Sequence, residues 1–219
     1  GGGLTLFDGA TRKTYNTANS AIPSNYLTAL AVDKQNRVWV GTVGAGVARL
    51  EGDLWVKHSL PNNYINALAL DVVGNPWVAT NDGAFVYNGQ VWAHLAASHG
   101  LASNRINAIT VAPDGRIWFG TDSGASVYDG QRIRTYKDSD GLASNTVRAI
   151  VVDAQRRVWG GASRGVAVLD GTRWKTYTRA DGLADDAVTT LALDARGNAW
   201  VGTAHGLSAF GDAKLTRVT

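Results

Sequence analysis

Large apolar residues alternate with small or polar ones over short stretches that return along the whole chain. Clear examples are Leu27 to Val32 and Val188 to Leu193, where Leu and Val alternate with Thr and Ala. A period of two is typical of β-strands with one buried face, whereas an amphipathic helix has a period of 3.6 residues. The pattern therefore predicts an all-β protein.

The strands are grouped in units that repeat about every 40 residues. The stretch from Asn104 to Gly141 returns as Asn145 to Gly182, and looser copies fill most of the remaining chain. Each full copy contains a marker tryptophan, and the five are spaced 38, 41, 41 and 41 residues apart: Trp39, Trp77, Trp118, Trp159 and Trp200. Because they recur in register, we expect them to pack between neighbouring units rather than to form a carbohydrate platform.

Each unit is predicted to hold four strands joined by tight turns. The turn between the first two has the form Asp-x-x-Gly-x-x-Trp, as in Asp71 to Trp77 and Asp194 to Trp200. Its glycine supplies a positive φ, and Asn36 is the next best residue for that position. Arg156 in the same position predicts local strain or a different turn. In the third unit Ala112 replaces the turn aspartate.

The third and fourth strands of a unit are joined by Asp-Gly or Asn-Gly, as at Asp129-Gly130, which is the strongest short hairpin signal. Four short antiparallel strands per repeat, with one tryptophan in each, are typical of β-propeller blades. We therefore predict one propeller domain over residues 1–219. Its segments are a half repeat and five blade repeats: 1–20, 21–60, 61–100, 101–141, 142–182 and 183–219.

The half repeat at the N-terminus raises the question of ring closure. Its two strands, Leu4 to Phe7 and Arg12 to Tyr15, could pair with the blade that contains Trp200, although that blade has strands of its own. A five-bladed ring with redundant terminal strands is favoured. A ring of six positions with one incomplete blade, and association of two chains through these strands, are the alternatives. The absence of Met and the start Gly1-Gly2-Gly3 are typical of a trimmed or engineered chain.

Composition excludes several classes of function. With 45% hydrophobic and 18% charged residues the chain resembles a soluble globular protein. The formal charge of +3 is spread along the chain rather than clustered, so we expect no nucleic-acid partner. There is no apolar run of 18 residues, and therefore we expect no membrane span. Cysteine is absent, which excludes disulfides and thiolate metal sites.

The repeat also resembles a known family. The shared pattern is Gly-Leu-Ala-Ser-Asn, then Asp-x-x-Gly-x-x-Trp-x-Gly-Thr, then Asp-Gly, and it is most specific around Leu101 to Asn104, Leu142 to Asn145 and Leu183 to Asp186. It is similar to the two-component regulator propeller repeat of bacterial sensor proteins. The resemblance implies a sensing or ligand-binding propeller, periplasmic or extracellular, upstream of a kinase that this sequence does not contain.

In a propeller, the loops between blades and those between strands two and three emerge on the same face, around the mouth of the channel. This face, which we call the loop face, is the predicted ligand site. The second loop set varies between copies while its flanks do not, which is typical of a tailored ligand face or of unconstrained surface. The recurring asparagines are also explained as caps of their own turns. The candidate ligand-binding residues are Asp82, Asp122, Ser123, Arg164, His205, Asn104 and Asn145.

No candidate metal-binding or catalytic group is distinct from the repeated pattern. The four histidines fall at non-equivalent positions, so no metal site is predicted. No nucleophile or acid–base pair is evident, and we predict no catalytic residue and no cofactor. The favoured function is a non-catalytic binding or sensing domain for a small ligand or glycan. The alternatives are a structural or protein-interaction module, including an engineered one, and an enzyme of the propeller lyase or hydrolase kind.

Overall fold

The computed structural model describes residues 1–211 and 214–218. Strands β1 (Leu4–Phe7) and β2 (Arg12–Tyr15) form a separate two-stranded sheet. The strands that follow form five four-stranded antiparallel sheets, the blades, each paired in chain order. Their bounds are β3 (Leu27–Val32), β4 (Val38–Thr42), β5 (Val47–Glu51) and β6 (Leu54–His58); β7 (Ile65–Leu70), β8 (Pro76–Thr80), β9 (Gly83–Tyr87) and β10 (Trp92–Leu95); β11 (Ile106–Val111), β12 (Ile117–Thr121), β13 (Gly124–Tyr128) and β14 (Ile133–Tyr136); β15 (Val147–Val152), β16 (Val158–Ala162), β17 (Gly165–Asp170) and β18 (Arg173–Tyr177); β19 (Val188–Leu193), β20 (Ala199–Thr203), β21 (Gly206–Gly211) and β22 (Lys214–Val218).

Short 3₁₀ turns follow the fourth strand of the second, third and fourth blades. They span Ala97–His99, Asp138–Asp140 and Arg179–Asp181. Each ends at a glycine with left-handed backbone, such as Gly141 at a φ of 102°. The chain then enters the first strand of the next blade. The predicted all-β architecture of repeated four-stranded antiparallel blades is confirmed.

The blades pack face to face in chain order. The first strand of each blade contacts the first strand of the next, from β3 through β7, β11 and β15 to β19. In the first four blades, the second strand carries its tryptophan towards the following blade. The Trp77 ring lies 6.0 Å from Phe119, and the Trp159 ring lies 5.0 Å from Phe210. These interblade layers are the hydrophobic core of the molecule.

The glycine two residues after a marker tryptophan permits this close stacking. A Cβ at Gly120 would lie 2.9 Å from Cγ1 of Val147 in the next blade, and one at Gly161 would lie 2.6 Å from Cγ1 of Val188. Real Cβ atoms do not approach other atoms so closely. The Trp-x-Gly pattern therefore records where the innermost strands of two blades touch.

A buried carboxylate organises the turn before the tryptophan. Asp153 is fully buried and accepts hydrogen bonds from the Arg157 backbone N–H (2.9 Å), Arg157 Nε (2.7 Å) and Trp159 Nε1 (3.0 Å). Asp33 makes the same contacts with Arg37 and Trp39. A carboxylate that receives several donors fixes both the turn and the indole. The recurring aspartate is thus a fold determinant.

The third blade lacks this carboxylate because Ala112 occupies its position. The backbone turn is unchanged, since the Ala112 N–H still donates to the Arg116 carbonyl at 2.8 Å. The indole, however, loses its acceptor: Trp118 Nε1 is buried and has no hydrogen-bond partner among the described residues. A buried unpaired donor costs about 1–3 kcal/mol.

Arg156 adopts the turn conformation that glycine adopts in other blades. Its φ is 64°, and Asn36 in the first blade has a φ of 58°, whereas Gly74 and Gly197 hold the same place at 98° and 82°. A side chain other than glycine or asparagine is disfavoured there. The strain predicted at Arg156 from the sequence is therefore confirmed by its backbone.

The five predicted blades are present, and the N-terminal strand pair forms a sheet separate from them. The fifth blade contains its own third and fourth strands, since β21 pairs with β22 and Leu207 lies opposite Val218. The N-terminal strands are therefore not part of this blade. Strands β1 and β2 pair only with each other and pack on the first blade, where the Tyr15 ring lies 5.7 Å from Trp55. Within the described part of the chain, β19 does not pack on β3 as the other first strands pack on each other.

We expect Ala112→Asp to raise the free energy of unfolding by about 1 kcal/mol, because it gives Trp118 Nε1 the acceptor present in the other blades. Urea denaturation measures the change. As the converse control, Asp153→Ala should lower the same quantity by about 3 kcal/mol, since it leaves a buried indole and guanidinium unpaired. An Ala112→Asp variant less stable than the parent would contradict the assignment.

We expect Arg156→Gly to raise the free energy of unfolding by about 1 kcal/mol, because glycine tolerates the left-handed backbone at that position. Thermal unfolding followed by circular dichroism reports the change. Gln155→Gly is the matched control: it lies next to Arg156 without a positive φ and should be neutral or slightly destabilising. Equal effects of the two glycine substitutions would refute strain at Arg156.

Candidate functional site

The turn between strands two and three has the same framework in several blades. Thr121 Oγ1 donates to the Gly124 carbonyl at 2.8 Å and accepts the Ser123 N–H at 3.1 Å. Thr203 Oγ1 does the same for Gly206 and His205, at 2.8 and 3.3 Å. The threonine thus holds the backbone of the next but one residue, and the side chain of that residue is not needed by the turn.

Four predicted site residues occupy this one position in successive blades. They present a carboxylate, a hydroxyl, a guanidinium and an imidazole: Asp82, Ser123, Arg164 and His205. In the fourth blade Ala162 takes the place of the threonine. Because the sheet contacts are the same and the side chains differ, this position can vary without changing the blade.

Two of these four side chains have partners. Asp82 Oδ1 accepts from Asn104 Nδ2 at 3.2 Å, and His205 Nδ1 lies 3.2 Å from Asp185 Oδ2. Ser123 Oγ and the Arg164 guanidinium have no hydrogen-bond or ion-pair partner among the residues that the structure describes. They are therefore free to contact a ligand.

Asp122 is engaged in contacts within the protein. Its Oδ1 accepts from Asn107 Nδ2 at 2.8 Å, and its Oδ2 lies 3.4 Å from Arg105 Nε. The same Asn107 amide donates to the Val147 carbonyl of the next blade at 3.1 Å. Asn66 repeats the pattern with Asn81 and Ile106. The Asn107 contacts thus tie the third blade to the fourth near the mouth.

Asn104 and Asn145 hold the loops that lead into each blade. Asn104 Oδ1 accepts the Ala97 N–H at 2.7 Å, and Asn145 Oδ1 accepts the Asp138 N–H at 2.9 Å. Both donors are at the first residue of a 3₁₀ turn. The recurring asparagine therefore has a structural task, and Asn104 alone of the two also reaches a site residue, Asp82.

The fifth blade contributes a charged group that the sequence analysis did not single out. Asp185 lies between His205 and Arg179, and its Oδ2 is 3.8 Å from Arg179 Nη1. The three residues line a depression of about 300 Å³. A hydrogen bond from the Ala187 N–H lowers the pKa of Asp185, burial raises it, and His205 and Arg179 lower it further, with a net lowering. The signal in the sequence was the aspartate where other copies have Ser or Asn.

Arg148 is the second residue that the sequence analysis missed. It occupies the position of Asn107 one blade later, in a first strand, and its side chain is exposed. Neither a hydrogen bond nor an ion pair joins it to a described residue. Arg148 and Arg164 thus place two unpaired guanidinium groups on the loop face of the fourth blade.

No group of three or more His, Asp or Glu side chains suited to a metal ion occurs in residues 1–211 and 214–218. In the same residues, no helix has the length and apolar character needed to cross a membrane.

The fold and its loop face define a repeat protein of the β-propeller class. Three segments, residues 21–44, 100–123 and 182–205, match the family described as two component regulator propeller. These three segments are thus similar to the repeat of that family. The matched segments lie in the first, third and fifth copies, which confirms the resemblance drawn from the repeat. No curated protein matches the chain.

Solved structures share the fold. The extracellular domain of a protein described as a hybrid two component system from B. thetaiotaomicron superposes with a TM-score of 0.84 and 22% identity, over 100% of this chain and 31% of that one. PorZ, a surface component of the type-IX secretion system of Porphyromonas gingivalis, gives 0.76 and 19% over 94% and 35%. Virginiamycin B lyase from Staphylococcus aureus gives 0.73 and 13% over 89% and 70%.

This chain spans about a third of the length of the first two structures. Their identity to it is below 25%, so the likeness concerns the fold. The activities of those whole proteins are not thereby transferred to it.

Proposed function

We propose that this chain is a non-catalytic binding or sensing domain that lies outside the cytoplasm and recognises a small ligand or glycan on its loop face. One observation carries the proposal. Asp82, Ser123, Arg164 and His205 occupy one backbone position in successive blades, and the turn threonine holds that backbone where it is present. A fold that fixes the backbone and leaves the side chain free supports recognition rather than stability.

The charges of this face support a polar ligand. Arg148 and Arg164 have no partner among the described residues, while Asp185 and His205 meet in the neighbouring blade. Unpaired cations and hydrogen-bond donors on one exposed face can bind a hydroxyl-rich or acidic molecule. The repeat family and the extracellular domain among its structural neighbours support a sensory setting.

We expect at least one class of small polar ligand to stabilise the chain in a thermal-shift panel of neutral sugars, acidic sugars, amino acids and short peptides. A ligand at 100 times its Kd adds about 2.7 kcal/mol to the free energy of unfolding. The Arg164→Ala and His205→Ala variants should each weaken that ligand at least tenfold by isothermal titration calorimetry, whereas Arg173→Ala, at the opposite end of the strands, should not.

If no member of the panel raises the melting temperature, or if Arg164→Ala and His205→Ala bind as the parent does, the loop face is not the recognition site.

A second candidate function, a module that associates with another copy of itself through its terminal half blade, is favoured by the first blade. Leu30 and Val32 of β3 are 55% and 54% exposed, whereas the residues that match Leu30, such as Ile150 at 4%, are buried by the preceding blade. Strands β1 and β2 cover only the outer half of this face, through Tyr15 and Trp55. An uncovered apolar face beside an unpaired strand edge favours pairing with another chain.

Under this second candidate we expect light scattering after size exclusion to show a dimer that dissociates on dilution. Leu30→Lys should shift the equilibrium to monomer by at least tenfold, because it places a charge in the joined face. Val73→Lys is the matched control, since Val73 is 74% exposed at a turn outside that face. A parent chain that is monomeric at every concentration would contradict association.

A further inference from the structure

A cleft opens between the fourth and fifth blades, at the end of the strands opposite the loop face. It has a volume of about 590 Å³, which is within the range of small-molecule sites. One wall is aromatic: the rings of Trp159 and Tyr177 lie 5.0 and 4.9 Å from Phe210 of the next blade. The turns after the first strands of both blades, near Gln155 and Asn198, form its rim.

A smaller depression of about 320 Å³ lies at the matching end of the third blade. Its lining residues Arg116, Asp129, Arg134 and Tyr136 correspond to Arg157, Asp170, Lys175 and Tyr177, and no described residue of the fourth blade lines it. The gap between the third and fourth blades is filled by the Trp174 ring, which lies 6.3 Å from Trp118 and 5.7 Å from Tyr136.

The fifth blade has no such ring. Leu215 pairs with Phe210 as Trp174 pairs with Leu169, so it occupies the matching position on the outer strand. Leucine is much smaller than tryptophan, and the space beside Phe210 stays open. The facing residue differs as well, since Phe210 stands where the fourth blade has Leu169, so the open cleft accompanies both changes.

Cations dominate the rim of the cleft. Among the residues that the structure describes, Arg157, Lys175 and Arg196 line it against one carboxylate, Asp170. Arg157 Nε donates a hydrogen bond to the buried Asp153, and the guanidinium lies 5.3 Å from the centre of the Trp159 ring. No described residue pairs with the terminal amino groups of Arg157. Lys175 Nζ lies 4.7 Å from the centre of the Tyr177 ring and has no ion pair among the described residues.

We propose that this cleft is a second binding site, for an acidic saccharide of one or two rings. The lysine and two arginines would hold its carboxylate or sulfate, and the Gln155 amide and Asn198 Oδ1 would contact its hydroxyls. The partly exposed Tyr177 ring would face its apolar side, whereas Trp159 and Phe210 are 3% and 7% exposed and form the floor of the cleft. Neither the loop face nor the proposed sensing role is needed for this assignment. Charge-assisted contacts at a partly exposed rim are screened by salt, so affinity falls as ionic strength rises.

The test uses digalacturonate as the probe in calorimetric titrations of the whole chain, with neutral galactobiose and inorganic sulfate as comparison ligands. We expect digalacturonate to bind at least tenfold more tightly than either. The Lys175→Gln and Arg196→Gln variants should each weaken it at least fivefold. Arg134→Gln, the matched change in the smaller depression of the third blade, should leave the affinity unchanged.

A second variant fills the cleft without altering its charges. Leu215→Trp introduces the residue found at the matching position of the fourth blade, and it should abolish digalacturonate binding while the melting temperature stays equal or rises. Equal binding of galactobiose, binding of sulfate as tight as that of digalacturonate, or binding by Leu215→Trp at the parent affinity would each overturn the proposal. So would a loss of binding in Arg164→Ala with none in Arg196→Gln, since that result places the ligand on the loop face.

Discussion

The structure depends on contact between the innermost strands of neighbouring blades. A sheet of four short strands exposes two faces, and neither is buried until another sheet lies on it. Gly120 and Gly161 remove the Cβ that would hold the next strand away, and Val147 and Val188 enter the space. The tryptophan two residues earlier then covers the outer part of the same interface. Every other feature of the repeat is built around that contact.

The buried turn carboxylate adds direction to this packing. An indole is large and carries one donor, so it needs an acceptor to hold a single orientation in the interior. Asp153 supplies the acceptor for Trp159, and it also binds Arg157, whose guanidinium covers the indole from the turn side. The third blade folds without the carboxylate, which indicates that packing forms the blade and that the hydrogen bond refines it.

The array also separates two kinds of surface. On the loop face, threonine and asparagine side chains hold the backbone of the turns, and therefore the side chain of a residue such as Ser123 is not needed to stabilise its turn. At the opposite end, the Trp174 ring of an outer strand fills the gap between the third and fourth blades, and a cleft is present where Leu215 stands at the matching position. Recognition and cavity formation thus arise from different layers of one repeat.

The sequence by itself determined the repeat, the strand order within a blade and the strain at Arg156, because alternation, turn residues and spacing act over a few neighbouring positions. It also predicted the variable loop set that contains Asp82, Asp122, Ser123, Arg164 and His205. Only the tertiary structure decided which of those side chains are paired, that β1 and β2 pack on the first blade, and that a cleft opens beside Phe210. These depend on contacts between residues about 20 or more positions apart, whose distances no local pattern specifies.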